Sequence, residues 1–492
     1  MNYRMLAYIL GYILRIQALF MLPGLAISLA RGESSAVYGF LIAILLLLVV
    51  SAASFFLKPK ERHFYARDGL VIVALVWIVM SVFGALPFFI SREIPHFIDA
   101  LFETVSGFTT TGASILTSVE AMPHGLLYWR SFTHWLGGMG VLVFLLAILP
   151  MAQGSGSSLH LMRAESPGPE VGKLAPKMRK TAVILYAIYC VMTVVQMGLL
   201  LLSGMPLFDS VCISFGTAGT GGFGVLNDSC VRYTFLQQNI IAVFMVLFGI
   251  NFSIYYLLLL REFSRVFFNE ELRAYLGIVT AATLLIGYNT LPLFNGDFGD
   301  SLHHAFFQVA SIMTTSGFAT TDFNLWPEFS RTILVVLMVI GASAGSTGGG
   351  IKVSRGLLLL KNARQTIRRM INPREVNLVR MDQEVVGEDT LHGVNVYMTF
   401  YCLIGVVSLL VISKDNFSLE SNITAVLSCL NNIGPGLGAV GPMENFSAYS
   451  GLSKLVLTMD MLFGRLEIFP MLTLLLPSVW RRASQRGKVS MV

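Results

Sequence analysis

Apolar residues in this chain run in long unbroken stretches instead of alternating with polar ones, so the pattern predicts helices that are buried on every side. Ten stretches reach the ~20 residues that carry a helix across hydrocarbon. They centre on 7–30, 36–57, 68–90, 125–150, 181–203, 235–260, 274–293, 330–360, 394–413 and 452–478. Four shorter apolar segments, 98–108, 207–217, 301–313 and 419–431, lie between them. At eleven to thirteen residues each, these cannot span ~30 Å. Their length suits re-entrant half-helices, which exist where protein or a water-filled cavity surrounds them. Each is followed by a short polar, flexible run: "FTTTGA" from Phe108, "AGTGGF" from Ala218, "MTTSGF" from Met313 and "NIGPGL" from Asn432.

Composition agrees with a polytopic membrane protein. Hydrophobic residues make up 55% of the 492 positions and charged residues 13%, against about 25% charged in soluble domains. The apolar stretch at the N-terminus exceeds the 7–15 residues of a signal-peptide core, so it reads as a retained helix. With the N-terminus placed inside, 25 of the 34 Lys and Arg residues fall in cytoplasmic segments, which satisfies the positive-inside rule and leaves both termini cytoplasmic. Basic inner loops suffice to explain the net charge of +6, and no nucleic-acid partner is implied. Five scattered cysteines form no CxxC pair, and neither HExxH nor GxxxxGK occurs. Disulfide, zinc and phosphate-loop chemistry are therefore not indicated.

The four polar runs align on Gly112, Gly222, Gly317 and Gly436, at spacings of 110, 95 and 119 residues. Span, half-helix, glycine loop and span thus recur four times after an N-terminal pair of spans. The expected architecture is all-α, with four such repeats around a pseudo-fourfold pore. It divides into an N-terminal pair (1–62) and repeats at 63–165, 166–265, 266–375 and 376–492. Cation filters replace an ion's water shell with backbone carbonyls, and glycine reaches the positive φ values this requires. No charged side chain occurs in 109–113, 219–223, 314–318 or 433–437, which favours carbonyl dipoles and a monovalent cation. Half-helix C-termini aimed at the axis would add partial negative charge, and Asp99 and Asp209 sit where they could cap the half-helix N-termini. Glycine and threonine also mediate plain helix packing in membranes; it is the fourfold recurrence that argues for a filter.

Two other features stand out. "GASAGSTGGG" (Gly341 to Gly350) interrupts the 330–360 stretch, and broken backbone at membrane depth must face protein or water. It is expected below the third loop, as a barrier or a packing kink. It also contains a literal GxSxG around Ser343, but a hydrolase elbow needs a preceding strand and here a helical stretch precedes it. In "MDMLFGRLEIF", Asp460, Arg465 and Glu467 lie within the last span, where charges mark function by default. Arg465 is expected at the depth of the glycine loop, donating to its carbonyls or ion-paired with Asp460 or Glu467. Arg130, Arg232, Arg331 and Lys454 read as interfacial anchors.

The motifs "SGFTTTGAS", "HWLGGMG", "SPGPEVGKLAPKMRKTA", "AGTGGF", "MTTSGFATTDFN", "SAGSTGGGIK", "NNIGPGLG" and "GRLEIF" together resemble the TrkH proteins of bacterial potassium uptake, within the Trk/Ktr/HKT superfamily, over essentially the whole length. The two extra N-terminal spans fit TrkH better than the shorter KtrB proteins. The resemblance implies K⁺ as the transported ion, filter glycines at Gly112, Gly222, Gly317 and Gly436, a gate loop at Gly341–Gly350 and a pore arginine at Arg465. The assigned K⁺ filter comprises Thr110, Thr111, Gly112, Gly221, Gly222, Thr315, Ser316, Gly317, Gly434, Pro435 and Gly436. The assigned gate comprises Gly345, Ser346, Thr347, Gly348, Gly349, Gly350 and Arg465. It also implies a homodimer in the bacterial inner membrane, regulated by a cytosolic TrkA-like nucleotide-binding ring, with no nucleotide held by this chain. The expected function is gated, channel-like K⁺ uptake rather than catalysis. A K⁺/H⁺ or K⁺/Na⁺ symporter is the alternative, and a membrane hydrolase using Ser343 is a third reading.

Overall fold

The computed structural model describes residues 3–57, 66–148, 178–373 and 378–480. Lys58, Lys60, Arg62, Arg163, Lys173, Lys177, Arg374, Arg481, Arg482, Arg486 and Lys488, used above for orientation, lie outside these residues, as does the 166–177 part of the proline-rich motif. The divisions expected at 62/63, 165/166 and 375/376 lie outside them as well.

In hydrocarbon every backbone N–H and C=O must be paired within the segment, and the chain answers with helices. Among the described residues six helices are long and apolar enough to cross a membrane: Tyr3–Arg31, Ser34–Ser54, Asp68–Ile90, Ala182–Leu202, Glu270–Phe294 and Glu388–Asp415. A further helix runs His124–Ile148. Three of the ten expected spans are broken, one of them at the glycine-rich interruption read in the sequence. The 235–260 stretch is Phe235–Phe248 and Phe252–Leu259, bent by 87°. The 330–360 stretch is Glu328–Ile340 and Val353–Ile371 around an irregular loop. The last stretch is Gly451–Arg465 and Phe469–Leu475. The division expected at 265/266 falls inside the short helix Phe263–Phe268, and the side chain of Asn269 caps the next helix, Glu270–Thr290.

The half-helices form where the short apolar segments predicted them: Phe97–Phe108, Leu207–Ala218, Phe298–Met313 and Leu419–Leu430. Three have 12 residues and the third has 16, which extend only ~18 and ~24 Å at 1.5 Å per residue, so each stops inside the protein. Their N-terminal ends differ from expectation. Asp99 and Asp209 occupy first turns and cap nothing with their side chains; the caps are His96 and Pro206. Asp99 instead pairs with Lys454 Nζ at 2.7 Å, and Asp209 accepts from the Tyr233 hydroxyl at 3.3 Å. In the third half-helix Asp297 is the cap, and in the fourth Ser418.

The four cations read as interfacial anchors are tied to protein groups. Lys454 of the fourth repeat reaches Asp99 of the first, and Arg331 of the third pairs with Glu420 of the fourth. Arg232 pairs with Asp228 at 2.9 Å and Glu120 at 3.2 Å. Arg130 is fully interior, bonded to Glu103 at 2.6 Å.

Close backbone approach decides which glycines matter. A Cβ on Gly137 would lie 2.0 Å from the Phe108 carbonyl oxygen, whereas one on Gly198 would meet nothing within 4 Å. Overpacking of that kind costs ~1–3 kcal/mol. Gly137→Ala should therefore lower the unfolding midpoint of the purified protein by several degrees, and Gly198→Ala should leave it unchanged or raise it. Equal tolerance at both positions would contradict this packing.

Candidate functional site

Each half-helix ends in one and the same backbone motif. The residue after the C-cap is left-handed: Thr110 (φ 55°), Thr220 (54°), Thr315 (59°) and Asn432 (57°). The next amide reaches back five residues, from Thr111 to Ser106 O, Gly221 to Gly216 O, Ser316 to Ser311 O and Ile433 to Ser428 O, at 2.8–2.9 Å. This is the Schellman termination, which usually takes glycine. Asparagine tolerates it, but a threonine there costs ~1–3 kcal/mol and persists only where surrounding structure enforces it. Two residues further on φ turns positive again, at Gly112 (80°), Gly222 (77°), Gly317 (81°) and Gly434 (104°).

These glycines close a ring. A Cβ on Gly112 would sit 2.0 Å from Gly221 O, on Gly222 1.8 Å from Ser316 O, on Gly317 2.3 Å from Ile433 O, and on Gly434 2.8 Å from Thr111 O. Loop one thus abuts loop two, two abuts three, three abuts four, and four returns to one. Several hydroxyls are spoken for within the loops, such as Thr109 Oγ1 to Thr111 Oγ1 at 2.7 Å and Thr314 Oγ1 to Ser316 Oγ at 2.8 Å. The oxygens massed at the junctions are backbone carbonyls. Gly112, Gly222, Gly317, Gly434 and Pro435 line a cavity that opens outside the ring.

The register of the fourth loop is corrected by this geometry. Gly434, not Gly436, is the counterpart of Gly112, Gly222 and Gly317. Gly436 lacks positive φ, faces the side chains of Thr424 and Val440, and donates its amide to Val440 O at 2.6 Å. The insertion of Pro435 after the glycine shifted the match by two positions.

The Gly341–Gly350 segment lies against this ring. Helix Glu328–Ile340 stops at Gly341 (φ 72°), and positive φ recurs at Gly345, Gly350 and Lys352. The Gly349 amide donates to Thr315 Oγ1 at 2.6 Å, and the Gly350 amide to Asn431 O at 3.0 Å. Thr315 and Asn431 belong to the third and fourth ring loops, so gate and filter candidates touch. Ser346 Oγ donates to Ser343 O at 2.6 Å, and Lys352 Nζ to Gly348 O. Arg465 donates Nη1 to Thr347 O at 2.8 Å and Nη2 to Gly137 O at 2.7 Å. It therefore meets the loop carbonyls, as one of the sequence readings had it. Asp460 accepts from Ser408 Oγ at 2.7 Å, and Glu467 pairs with Arg355.

Sequence reasoning missed Glu271. It is buried in the first turn of Glu270–Thr290, and its Oε1 accepts from the amides of Ala344 (2.7 Å) and Ser354 (3.1 Å), clasping both ends of the loop. Its position beside a helix start gave no local signal. Lys352, Arg355 and Glu103 were also passed over, and Arg130 was read as an interfacial anchor; a buried cation looks the same in sequence as an interfacial one. Ser343 follows a helix, and its amide donates to Gly249 O at 3.1 Å. The strand-to-helix elbow of a hydrolase is absent there, which removes that reading.

A multi-pass helical protein with a ring of uncharged carbonyl-bearing loops packed against a glycine-rich segment belongs among the membrane transport proteins. The family model TrkH, described as a cation transport protein, matches residues 38–481. The chain is 36% identical over 495 residues to the Trk system potassium uptake protein TrkH of Salmonella typhimurium, covering 98% of this chain and 100% of that one. It is 30% identical over 482 residues to the Trk system potassium uptake protein TrkG of Escherichia coli K12, covering 97% and 99%. The crystal structure of the potassium transporter TrkH from Vibrio parahaemolyticus superimposes with a TM-score of 0.87 at 32% identity, covering 98% of this chain and 100% of that one. The chain belongs to the TrkH family of cation transport proteins, and is a transporter, not an enzyme.

The corrected register has a direct consequence. An alanine at Gly434 must adopt φ near 104° against loop-one backbone, whereas at Gly436 it meets side chains that can yield. Gly434→Ala should destabilise the purified protein by ~1–3 kcal/mol in excess of any effect of Gly436→Ala, read as the difference in thermal midpoint. A larger loss at Gly436 would restore the original alignment.

Proposed function

We propose that this protein takes up potassium ions through the four-loop ring, acting as a gated channel-like pore. The observation that carries the reading is the closed circuit of glycine-to-carbonyl contacts. Carbonyl dipoles without a carboxylate ring suit dehydration of a monovalent cation, and the C-termini of four half-helices reinforce the negative potential there. Thr110, Thr111, Gly112, Gly221, Gly222, Thr315, Ser316, Gly317, Gly434 and Pro435 form the ion path, with K⁺ as cargo. The potassium uptake systems named among the relatives support the choice of ion.

The loop from Gly345 to Gly350, pinned by Arg465, is the gate. The protein works as a homodimer in the bacterial inner membrane under a cytosolic TrkA-like nucleotide-binding ring. Both ends are cytoplasmic. In support, the Tyr3 hydroxyl donates to Trp480 O at 2.6 Å, which puts residues 3 and 480 on one side. Inward movement of one charge gains ~2.3 kcal/mol per 100 mV of membrane potential.

The test is Rb⁺ uptake into proteoliposomes with Na⁺ as competitor, paired with single-channel recording. Saturable Rb⁺ uptake that excess Na⁺ leaves largely intact is expected, together with resolved unitary currents. Indifference to Rb⁺ over Na⁺ would end the filter reading; selective flux coupled to protons or Na⁺, without unitary currents, would favour a symporter.

For the gate, deleting Gly345 to Gly349 should raise basal Rb⁺ flux with no partner present, and Arg465→Ala should raise it too. The two changes remove parts of one barrier, so combined they should add little. Independent sites add within ~0.5 kcal/mol. Full additivity of the logarithmic fluxes would separate Arg465 from the gate.

A further inference from the structure

Charge enters the wall of the ring at one junction. Glu103, on the first half-helix, is fully buried. Its Oε2 accepts from the Ile115 amide at 2.9 Å, and both its oxygens accept from Ser114 Oγ at 3.0 and 3.1 Å. Ser114 and Ile115 lie two and three residues after Gly112 in loop one. Glu103 Oε1 also accepts from Arg130 Nε at 2.6 Å, and Arg130 Nη1 donates to Gly224 O at 3.0 Å. The guanidinium carbon lies 3.5 Å from the centre of the Phe223 ring. Gly224 and Phe223 follow Gly222 in loop two. One turn along the same helix, His134 Nδ1 accepts from the Phe223 amide at 3.4 Å, and its ring stacks on Phe223 with centroids 4.0 Å apart.

Among the described residues, the hydrogen bonds joining the loops at the other three junctions are between uncharged groups. Cys230 N donates to Ala319 O, Asn324 exchanges two bonds with Gly438, and Phe446 N donates to Ser114 O. A buried ion pair adds little net stability over apolar packing, though removing one partner is strongly destabilising. Its distinctive property is a rigid, directional geometry.

We propose that Glu103 and Arg130 act as a selectivity-positioning pair: they fix the separation of the loop-one and loop-two backbones, and through it the preference of the path for larger over smaller monovalent cations. The proposal rests on the ring being the ion path. Neither side chain touches the ion; Glu103 holds the Ser114 hydroxyl and the Ile115 amide, and Arg130 holds the Gly224 carbonyl, in the segments that follow the Gly112–Gly221 contact. Arginine is required because one group must reach Glu103, Gly224 and Phe223 at once. Lysine keeps the charge but cannot make that fork.

The experiment compares Rb⁺ and Na⁺ uptake by wild-type and Arg130→Lys protein in liposomes, with oligomeric state and thermal midpoint measured on the same preparations. Rb⁺ over Na⁺ preference should fall by about tenfold in assembled Arg130→Lys protein, the size of one lost hydrogen bond to a charged group, while Rb⁺ flux persists. A merely structural role would lower the midpoint and leave the preference unchanged, which overturns the proposal. If Arg130→Lys does not assemble, Ser114→Ala loosens the same brace from loop one: a reduced preference supports the proposal and an unchanged one overturns it. A wild-type protein with no preference for Rb⁺ refutes the ion path itself, which is distinguishable from a selective wild type with an equally selective variant.

Discussion

Four backbone segments meet here at distances that no side chain would permit. A Cβ placed on any of the four ring glycines would lie 1.8–2.8 Å from a carbonyl oxygen of the neighbouring loop. Glycine is therefore a steric requirement at these positions, and so is everything that brings the loops together. The half-helices must be short enough to end at the ring, and each must terminate in the left-handed turn that redirects the chain. Three of those turns are made by threonine, a β-branched residue that resists positive φ. Enforcing them needs support from the surrounding structure; Lys454–Asp99 and Arg331–Glu420 contribute contacts between neighbouring elements at the N-terminal ends of the first and fourth half-helices.

The ring and the segment beneath it are also one hydrogen-bonded unit. Thr315 contributes its left-handed backbone to the third loop and its hydroxyl to the Gly349 amide; Asn431 closes the fourth half-helix and receives the Gly350 amide. A displaced segment would strand these groups, along with those held by Glu271 and Arg465. Each intramolecular bond contributes only ~0.5–1.5 kcal/mol, but an orphaned buried group costs ~1–3 kcal/mol. Movement thus requires water to enter and replace the lost partners. Hydration of this region and displacement of the segment are in this sense a single event, and the five glycines among residues 341–350 leave few side chains to clear.

The parts of this arrangement legible in sequence were those set by length and period. The half-helices at 97–108, 207–218, 298–313 and 419–430 follow from apolar segments too short to span, and the first three loops align because they share a Thr or Gly-rich run. The fourth was misaligned because its left-handed position is Asn432 and a second glycine follows Pro435, so composition matched at Gly436 what geometry matches at Gly434. The break at Gly249–Asn251 carries no proline and a single glycine, and only the docking of Ser343 and Gly345 against it accounts for the bend. Buried charges were the other blind spot. Arg130 and Lys454 sit at similar points after their loops, yet one is sealed between two loops and the other reaches a first-turn aspartate, a difference made wholly by tertiary neighbours.

The four repeats obey one backbone plan, but they do not share duties equally. Among the described residues, only the third carries a long glycine-rich break, the fourth places Arg465 against it, and the Glu103–Arg130 pair lies between the first and second. A ring assembled from four identical chains would have to repeat each device four times, with four glycine-rich segments crowded against it and four buried ion pairs to desolvate. Joining the repeats in one chain frees each junction to differ while the carbonyl circuit stays closed. The backbone contacts common to all four loops therefore mark what closure of the ring requires, and the unlike side chains around them mark where the junctions differ.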